Sequence, residues 1–556
     1  MPALFQMAWG WRRGVLALLV LVSAARADLL PHAPLVPEEY ELARLARVRA
    51  LMARSTAAQP SDVRILFYGQ SITLSPWWKE VASRLEAAYP TVRFQFENRA
   101  ITGFIDAYLE RTTPADVFPR NPDLVILHAF GDGFPMAELI REVRTATIAE
   151  VLLQQDYVLA GGSVDVITNL HAINYADNAA FRNYISLPLA ADQTGACLAR
   201  IHDSWKAYCR TNHVDPKSLL NPDGLHPAPD SDQLLAELTL AYLLPGGDAV
   251  GEDPLNGSKV RTLDLTRDPV WRDGELVCDI TGRTVELGLD RAPYADLDVF
   301  VDGVRPSAHP ELYAFTRPSS AHFNQWPAVS RVGWQAPLVE EVWTFTPFDI
   351  AANGIDFSFR VSGSVTGDDG VGRSTERFVS RSGRVVIEPF DHWLGRAVSF
   401  GGGPIPVGFT ASWVAVLNGL DVVPTTLRPS TQARGDRVVL AHGLSEGTHR
   451  VRLATRPGSE APFRFLRASS PAGQARIQAV LPPSPPPAGQ LMAQSRNGAK
   501  WLSWSRDPGW RLESTTDFGT NAVWEAYPEG LVREEVDHRR TMLEDTEGPR
   551  FFRLVR

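Results

Sequence analysis

Between residues 60 and 245 the chain alternates strand-like runs with stretches of helical spacing, and this constrains its fold more than any other feature. The runs are Val63-Arg64-Ile65-Leu66-Phe67, Val92 to Phe96, Leu124-Val125-Ile126-Leu127 and Val151-Leu152-Leu153. Between them, Val81, Leu85 and Ala88 mark the inner face of a helix that begins at Trp77 and stops at Pro90. Met136, Leu139, Ile140 and Val143 define another; Leu198, Ile201, Trp205 and Tyr208 a further one; Leu234 to Leu244 a last. An amphipathic helix over Glu39 to Met52 precedes the first strand. Strands separated by helices form βαβ units, so the pattern predicts a parallel sheet with helices on both faces. In such sheets ligands bind beyond the carboxyl ends of the strands.

The residues that carry chemistry fall at those ends. Tyr68-Gly69-Gln70-Ser71-Ile72-Thr73 follows the first strand and leads into helical spacing. Ser71 therefore occupies a strand-to-helix turn, beside a glycine that lets the backbone bend sharply. Backbone N–H groups at the start of the next helix face the same spot, which suits a developing oxyanion. Taken alone, a Gly-x-Ser more often describes a helix-capping serine. Far downstream, Asp223-Gly224-Leu225-His226-Pro227 supplies a base and a group to orient it. Taken alone, His226 reads as a surface residue and Asp223 as a turn aspartate before glycine.

Three blocks together resemble the SGNH (GDSL-like) hydrolase family: Gly69-Gln70-Ser71, Asn98-Arg99-Ala100-Ile101-Thr102-Gly103, and Asp223 to His226. The resemblance covers about residues 60 to 245 and implies a three-layer α/β fold and ester hydrolysis. Ser71 would be the nucleophile, His226 the base and Asp223 its orienting carboxylate. The N–H groups of Ser71 and Gly103 would bind the oxyanion. Asn98, His128 and His171 are the candidate substrate contacts. Neither a metal nor a cofactor is expected.

Two departures from the family pattern stand out. Gln70 replaces the usual aspartate of the first block. At the third strand the family has Gly-x-Asn-Asp, whose Asn donates to the oxyanion, whereas this chain reads His128-Ala129-Phe130-Gly131-Asp132-Gly133. Gly133 would stand where the Asn belongs, and a lost donor costs about a hundred- to a thousand-fold in turnover. His128, Asn169 and His171 are the candidate replacements. The aperiodic segment Gly161 to Pro188, rich in Asn, Tyr and His, reads as a lid or substrate wall, or equally as a decorated surface loop. Of Trp77 and Trp78, one is expected in the core and the other free to stack on a sugar ring.

The ends of the chain add context. Arg12-Arg13, the apolar run Gly14 to Val22 and Ser23-Ala24-Ala25-Arg26-Ala27 read as a secretory signal cut after Ala27, and imply a secreted or periplasmic protein. No later run is long and apolar enough to span a membrane. The net charge of −9 argues against a nucleic-acid partner. Cys197 and Cys209 are expected in one helix, about 18 Å apart, too far for a disulfide, and with Cys278 they form no zinc pattern. The α/β domain is assigned to residues 28–250.

From 258 to 480 short alternating runs separated by turns read as β-sandwich material, one domain or two. Gly367-Asp368-Asp369-Gly370 is a candidate calcium loop, though such turns are usually solvated. A Pro-rich linker at 481–489 leads to a small β module, 490–556. Its Phe551-Phe552-Arg553-Leu554 ending resembles C-terminal modules of exported Verrucomicrobia-like proteins. The reading is a secreted serine esterase acting on a small-molecule or polysaccharide ester, with O-acetyl groups on carbohydrate as the expected target. The alternative is a non-catalytic carbohydrate- or surface-binding protein on a degenerate SGNH fold.

Overall fold

The structure, a computed structural model, describes residues 29–131, 133–175, 178–244, 257–265, 274–289, 296–426, 437–455 and 463–480. Of the C-terminal part it describes 490–496, 499–505, 509–516, 522–528, 532–534, 538–543 and 550–556. The expected signal segment and the Pro-rich linker lie outside the described residues.

The first domain is built on a parallel sheet of β1 (Asp62–Gly69), β2 (Arg93–Asn98), β3 (Leu124–His128), β4 (Glu150–Gln154) and β5 (Cys197–Ala199). Their order is β2-β1-β3-β4-β5. Alternate side chains feed opposite faces. Leu66, Tyr68, Val125, Leu127, Val151 and Leu153 enter one core; Val63, Ile65, Phe67, Leu124, Ile126 and Leu152 enter the other. Both faces are therefore covered, as a parallel sheet requires. Helices α1 (Glu39–Ala43), α2 (Ala46–Ala53), α3 (Ser71–Leu74), α4 (Trp77–Ala88), α5 (Asp106–Asp116), α6 (Phe134–Ala146), α7 (Asn178–Phe181), α8 (Leu187–Thr194), α9 (Ile201–Asn212) and α10 (Pro229–Leu240) supply the two outer layers. With β2 and β3 on either side of β1, the strand order reverses there, and the chain leaves β1 directly into the Ser71 turn.

Several expectations are corrected. The helix expected over Glu39 to Met52 is two, α1 and α2, separated at Arg44–Leu45. Cys197 and Cys209 do not share a helix. Cys197 lies in β5, a short strand whose apolar residues mimic the start of the helix that follows, and Cys209 lies in α9. All three cysteines are free and buried. The candidate calcium loop opens a strand, Gly367–Arg373, in which Asp369 accepts from Ser382 and Asp368 pairs with Arg381. Among the described residues no group of carboxylate, His or Cys side chains could hold a metal ion, and no helix is long and apolar enough to cross a membrane.

The region after the first domain is several antiparallel sheets. Two of them face each other around Cys278, Ile280, Val285, Leu287, Val299 and Leu453 and form a sandwich. Between its strands Leu297–Val301 and Val422–Val423 the chain inserts a further unit. That unit carries the sheet of Tyr313–Phe315, Ala411–Leu417, Glu341–Phe348, Ser358–Gly363 and Gly367–Arg373. The inserted unit does not hang free: Trp326, Trp343, Trp393 and Trp413 belong to the same apolar cluster as Phe104, Leu109 and Leu139 of the first domain. Ion pairs to buried carboxylates tighten this seam, Arg317 to Asp116 and Arg111 to Asp391. The C-terminal module has its own small core of Leu502, Trp504, Leu512 and Tyr527.

Candidate active site

Gly69, the last residue of β1, sits opposite His128 of β3. A Cβ on Gly69 would lie 2.1 Å from the His128 carbonyl oxygen and 2.3 Å from Thr73 Oγ1, so only glycine lets β1 turn into α3 here. Ser71 is the first residue of α3. Among the described residues, no hydrogen bond of the Ser71 or Gly103 N–H group to a protein acceptor is found.

His226 reaches Ser71 from a closed loop. Asn221 N–H donates to His226 O at 2.8 Å, Gly224 N–H to Asn221 O at 2.8 Å, and Leu220 bridges to Pro227. Tyr157 Oη donates to Leu225 O from beneath. Within this loop Asp223 Oδ1 accepts from the backbone N–H groups of Leu225 and His226, at 2.9 and 3.0 Å. Its Oδ2 lies 2.7 Å from His226 Nδ1. The far nitrogen, Nε2, lies 2.8 Å from Ser71 Oγ. With Nδ1 protonated toward the carboxylate, Nε2 is free to accept the serine proton; the network assigns that tautomer. The His226 backbone N–H, then its imidazole, then the Leu225 N–H lower the Asp223 carboxyl to about 2, so it stays ionised.

The other expected site residues are placed differently. Asn98 is committed to backbone: its Nδ2 donates to Thr73 O at 2.7 Å and its Oδ1 accepts from Ala100 N–H at 3.0 Å, tying the end of β2 to α3. His171 is exposed, with its N–H on Asn169 Oδ1, and no bond joins it or Asn169 to the Ser71–His226 pair among the described residues. His128 is buried and faces Asp156, its Nε2 3.2 Å from Oδ1 without the alignment of a hydrogen bond. Trp77 is core and donates to Ile72 O, while Trp78 is half-buried against Phe67.

Gly133 adopts φ +85°, and its N–H donates to Asp106 Oδ2 at 3.0 Å. A Cβ there would stand 2.3 Å from Ser186 Oγ and 2.9 Å from Ser186 Cβ. Nothing larger than glycine fits without displacing α8's approach. The position that the first side-chain atom of an asparagine would take is filled.

Comparisons with solved structures find similarity over about a third of the chain. The similar structures include an acetyl xylan esterase, AlAXEase (17% identity, 33% of this chain and 100% of that one, TM-score 0.29). The acetylxylan esterase Axe2 from Geobacillus stearothermophilus is similar at 17% identity, over 34% of this chain and 96% of that one, TM-score 0.28. A protein described as a GDSL-like lipase, from Parabacteroides merdae, is similar at 16% identity, over 33% and 95%, TM-score 0.28. No protein-family model and no curated protein matches the sequence. The first domain has the expected three-layer α/β architecture, a parallel sheet with helices on both faces.

The partners of three further residues are not legible in the sequence. Arg182 donates to Asp156 Oδ2 at 2.8 Å, to Gly131 O at 3.2 Å and to Ala129 O, so one guanidinium shapes the whole loop after β3. Burial alone would raise the Asp156 carboxyl; Arg182 and His128 overcome this and lower it. Gln70, with its amide oriented by the network, donates to Phe104 O at 3.2 Å and accepts from Phe130 N–H at 3.1 Å. It ties the three loops together, and an aspartate could make only the second of those bonds. Trp326, from the inserted unit, donates to Thr102 O. None of these has a local signal: each acts on a segment remote in sequence.

Proposed function

We propose that the chain is a serine esterase. The observation that supports this best is the continuous chain Ser71 Oγ–His226 Nε2, 2.8 Å, and His226 Nδ1–Asp223 Oδ2, 2.7 Å. In this reading Ser71 Oγ attacks the ester carbonyl as its proton passes to His226 Nε2, and the C=O electrons move to the carbonyl oxygen. The N–H groups of Ser71 and Gly103 receive that charge. Collapse of the tetrahedral species expels the alkoxide, which takes the proton from His226. Water then repeats the sequence on the acyl-enzyme and frees Ser71. Asp223 holds the imidazole in one tautomer and stabilises its cation.

For the substrate, we propose short acyl groups, O-acetyl first, on carbohydrate. The support is the block pattern in the sequence, the attached β units, and the exposed aromatic group formed by Phe134 and Tyr175 beside Phe181. We also propose export, on the leader-like residues 1–27. One observation favours the alternative of a non-catalytic binding protein: Gly133 has no side chain to give, and its N–H is taken by Asp106. Hydrolysis of p-nitrophenyl acetate, and acetate release from an acetylated polysaccharide, separate the two. The esterase hydrolyses both and loses both with Ser71→Ala; a binding protein hydrolyses neither and retains the polysaccharide.

A further inference from the structure

The turn that carries Gly103 is held from outside the first domain. Residues 101–104 close a β-turn through Phe104 N–H to Ile101 O at 3.1 Å, with Gly103 at its third position and φ +72°. That is the type II form, which differs from type I by a flip of the central peptide, and glycine at the third position permits both. Here the central peptide is the Thr102 carbonyl joined to the Gly103 N–H. Because a peptide group is planar and trans, its oxygen and its hydrogen point in opposite directions. Whatever holds the Thr102 oxygen therefore aims the Gly103 hydrogen.

Trp326 of the inserted unit holds it. The indole Nε1–H donates to Thr102 O at 2.5 Å. The edge of the same ring lies 3.6 Å from where a Gly103 Cβ would be, so the ring backs the turn as well as bonding to it. Trp326 is itself fixed edge-on by Trp393 at 5.0 Å, Phe323 at 5.2 Å and Phe400 at 5.3 Å. A second grip from the same unit lies four residues upstream of Gly103, where Arg317 donates to Arg99 O at 2.6 Å while paired with Asp116.

We infer that Trp326 is a positioning residue for ester hydrolysis: its indole N–H selects the peptide orientation in which the Gly103 N–H serves the oxyanion. The inference rests on the esterase reading above. A donor on the carbonyl also polarises the peptide and strengthens its N–H as a donor at the other end. The inserted unit thus completes the oxyanion site of the first domain.

The test uses the full chain and p-nitrophenyl acetate, with wild type, Ser71→Ala and Trp326→Phe, and a chain carrying 3-benzothienylalanine at position 326. The last keeps the bicyclic shape and replaces the N–H by sulfur, so it decides the matter if the Phe variant fails to fold. Loss of one oxyanion donor costs about 10²- to 10³-fold, and a peptide that reorients only part of the time loses less. The expected result is a kcat lowered about tenfold or more in both position-326 variants. KM stays within about twofold, the melting temperature of the benzothienyl chain is unchanged, and affinity for a tetrahedral boronate inhibitor falls in parallel. Parental kcat in the benzothienyl chain, or a change confined to KM, overturns the positioning role and leaves the esterase reading intact. If wild type hydrolyses nothing that Ser71→Ala fails to hydrolyse, the esterase reading fails, and the positioning role falls with it.

Discussion

Two Asp–His pairs stand near the ends of the same parallel sheet, and they do different things. Asp223 and His226 are three residues apart, their side chains 50% and 30% exposed, and 2.7 Å separates an aligned donor and acceptor. Asp156 and His128 come from neighbouring segments after and within separate strands, are 5% and 3% exposed, and approach at 3.2 Å without alignment. The first pair leaves Nε2 pointing at Ser71. In the second the carboxylate belongs to Arg182, which spends its remaining donors on two backbone carbonyls. The lesson is that residue types alone do not make a catalytic dyad. An exposed pair whose second nitrogen faces a hydroxyl can move a proton, whereas a buried pair whose carboxylate is held by a guanidinium holds a loop in shape.

Substituting the two histidines should break the comparison most sharply. His226→Ala is expected to lower turnover by about 10⁴-fold or more with little change in melting temperature, as loss of the base does in serine hydrolases. His128→Ala should lower stability by about 2 kcal/mol or more through the cavity it leaves, while a chain that still folds keeps most of its rate. Parallel measurements of kcat and urea unfolding check both, and equal rate losses would erase the distinction.

Arg182→Ala is next in size. Removing the cation strands a buried Asp156 carboxylate and two carbonyl oxygens, a change expected to cost about 3–5 kcal/mol of stability. Asp106 also faces Arg182, at 3.9 Å, so a shift of the 129–133 loop should accompany the loss. A melting curve within a degree of the parent would show that the loop is held by something else.

Gly133→Asn should destabilise rather than restore a donor. The left-handed backbone and the Ser186 side chain in the Cβ position make it an overpacking substitution of about 1–3 kcal/mol. Gly133→Ala should cost a similar amount, because the first atom added is the one that collides. An Asn variant that is both stable and faster than the parent would reverse this reading.

Acid titration of stability gives the smallest effect. The folded Asp156 carboxyl lies below its ordinary value, so between the two values the unfolded chain binds more protons than the folded one. The pair's contribution is present above about pH 4 and is lost as pH falls below it, with a slope of at most about 1.4 kcal/mol per pH unit for one proton. Asp156→Asn should be less stable throughout yet flatter in that window, measured by denaturant unfolding at fixed pH steps. An unaltered slope would exclude Asp156 as the titrating group.

What could be read from the sequence was what neighbouring residues decide together. The apolar runs at 63–67, 124–127 and 151–153 could only be buried strands, because side chains alternate across a sheet covered on both faces. The Gly69-Gln70-Ser71 turn and the Asp223–His226 loop were legible for the same reason: each closes through its own backbone within a few residues. Cys197 was misread because a short apolar strand running into a helix has no period of its own.

The rest depended on which segments the fold brings together. Whether His128 meets substrate or Asp156, whether Gly133 has room for a side chain, why Gln70 stands in place of an acid, and what holds the Thr102–Gly103 peptide are questions about partners tens to hundreds of residues away. Trp326 bonds a carbonyl 224 positions upstream, and no spacing rule reaches that far. Hydrogen-bond geometry is set to tenths of an ångström by packing. The turn that carries Ser71 and the loop that carries Asp223 and His226 were therefore written locally, whereas the Thr102–Gly103 peptide is held by the contact between the first domain and the inserted unit.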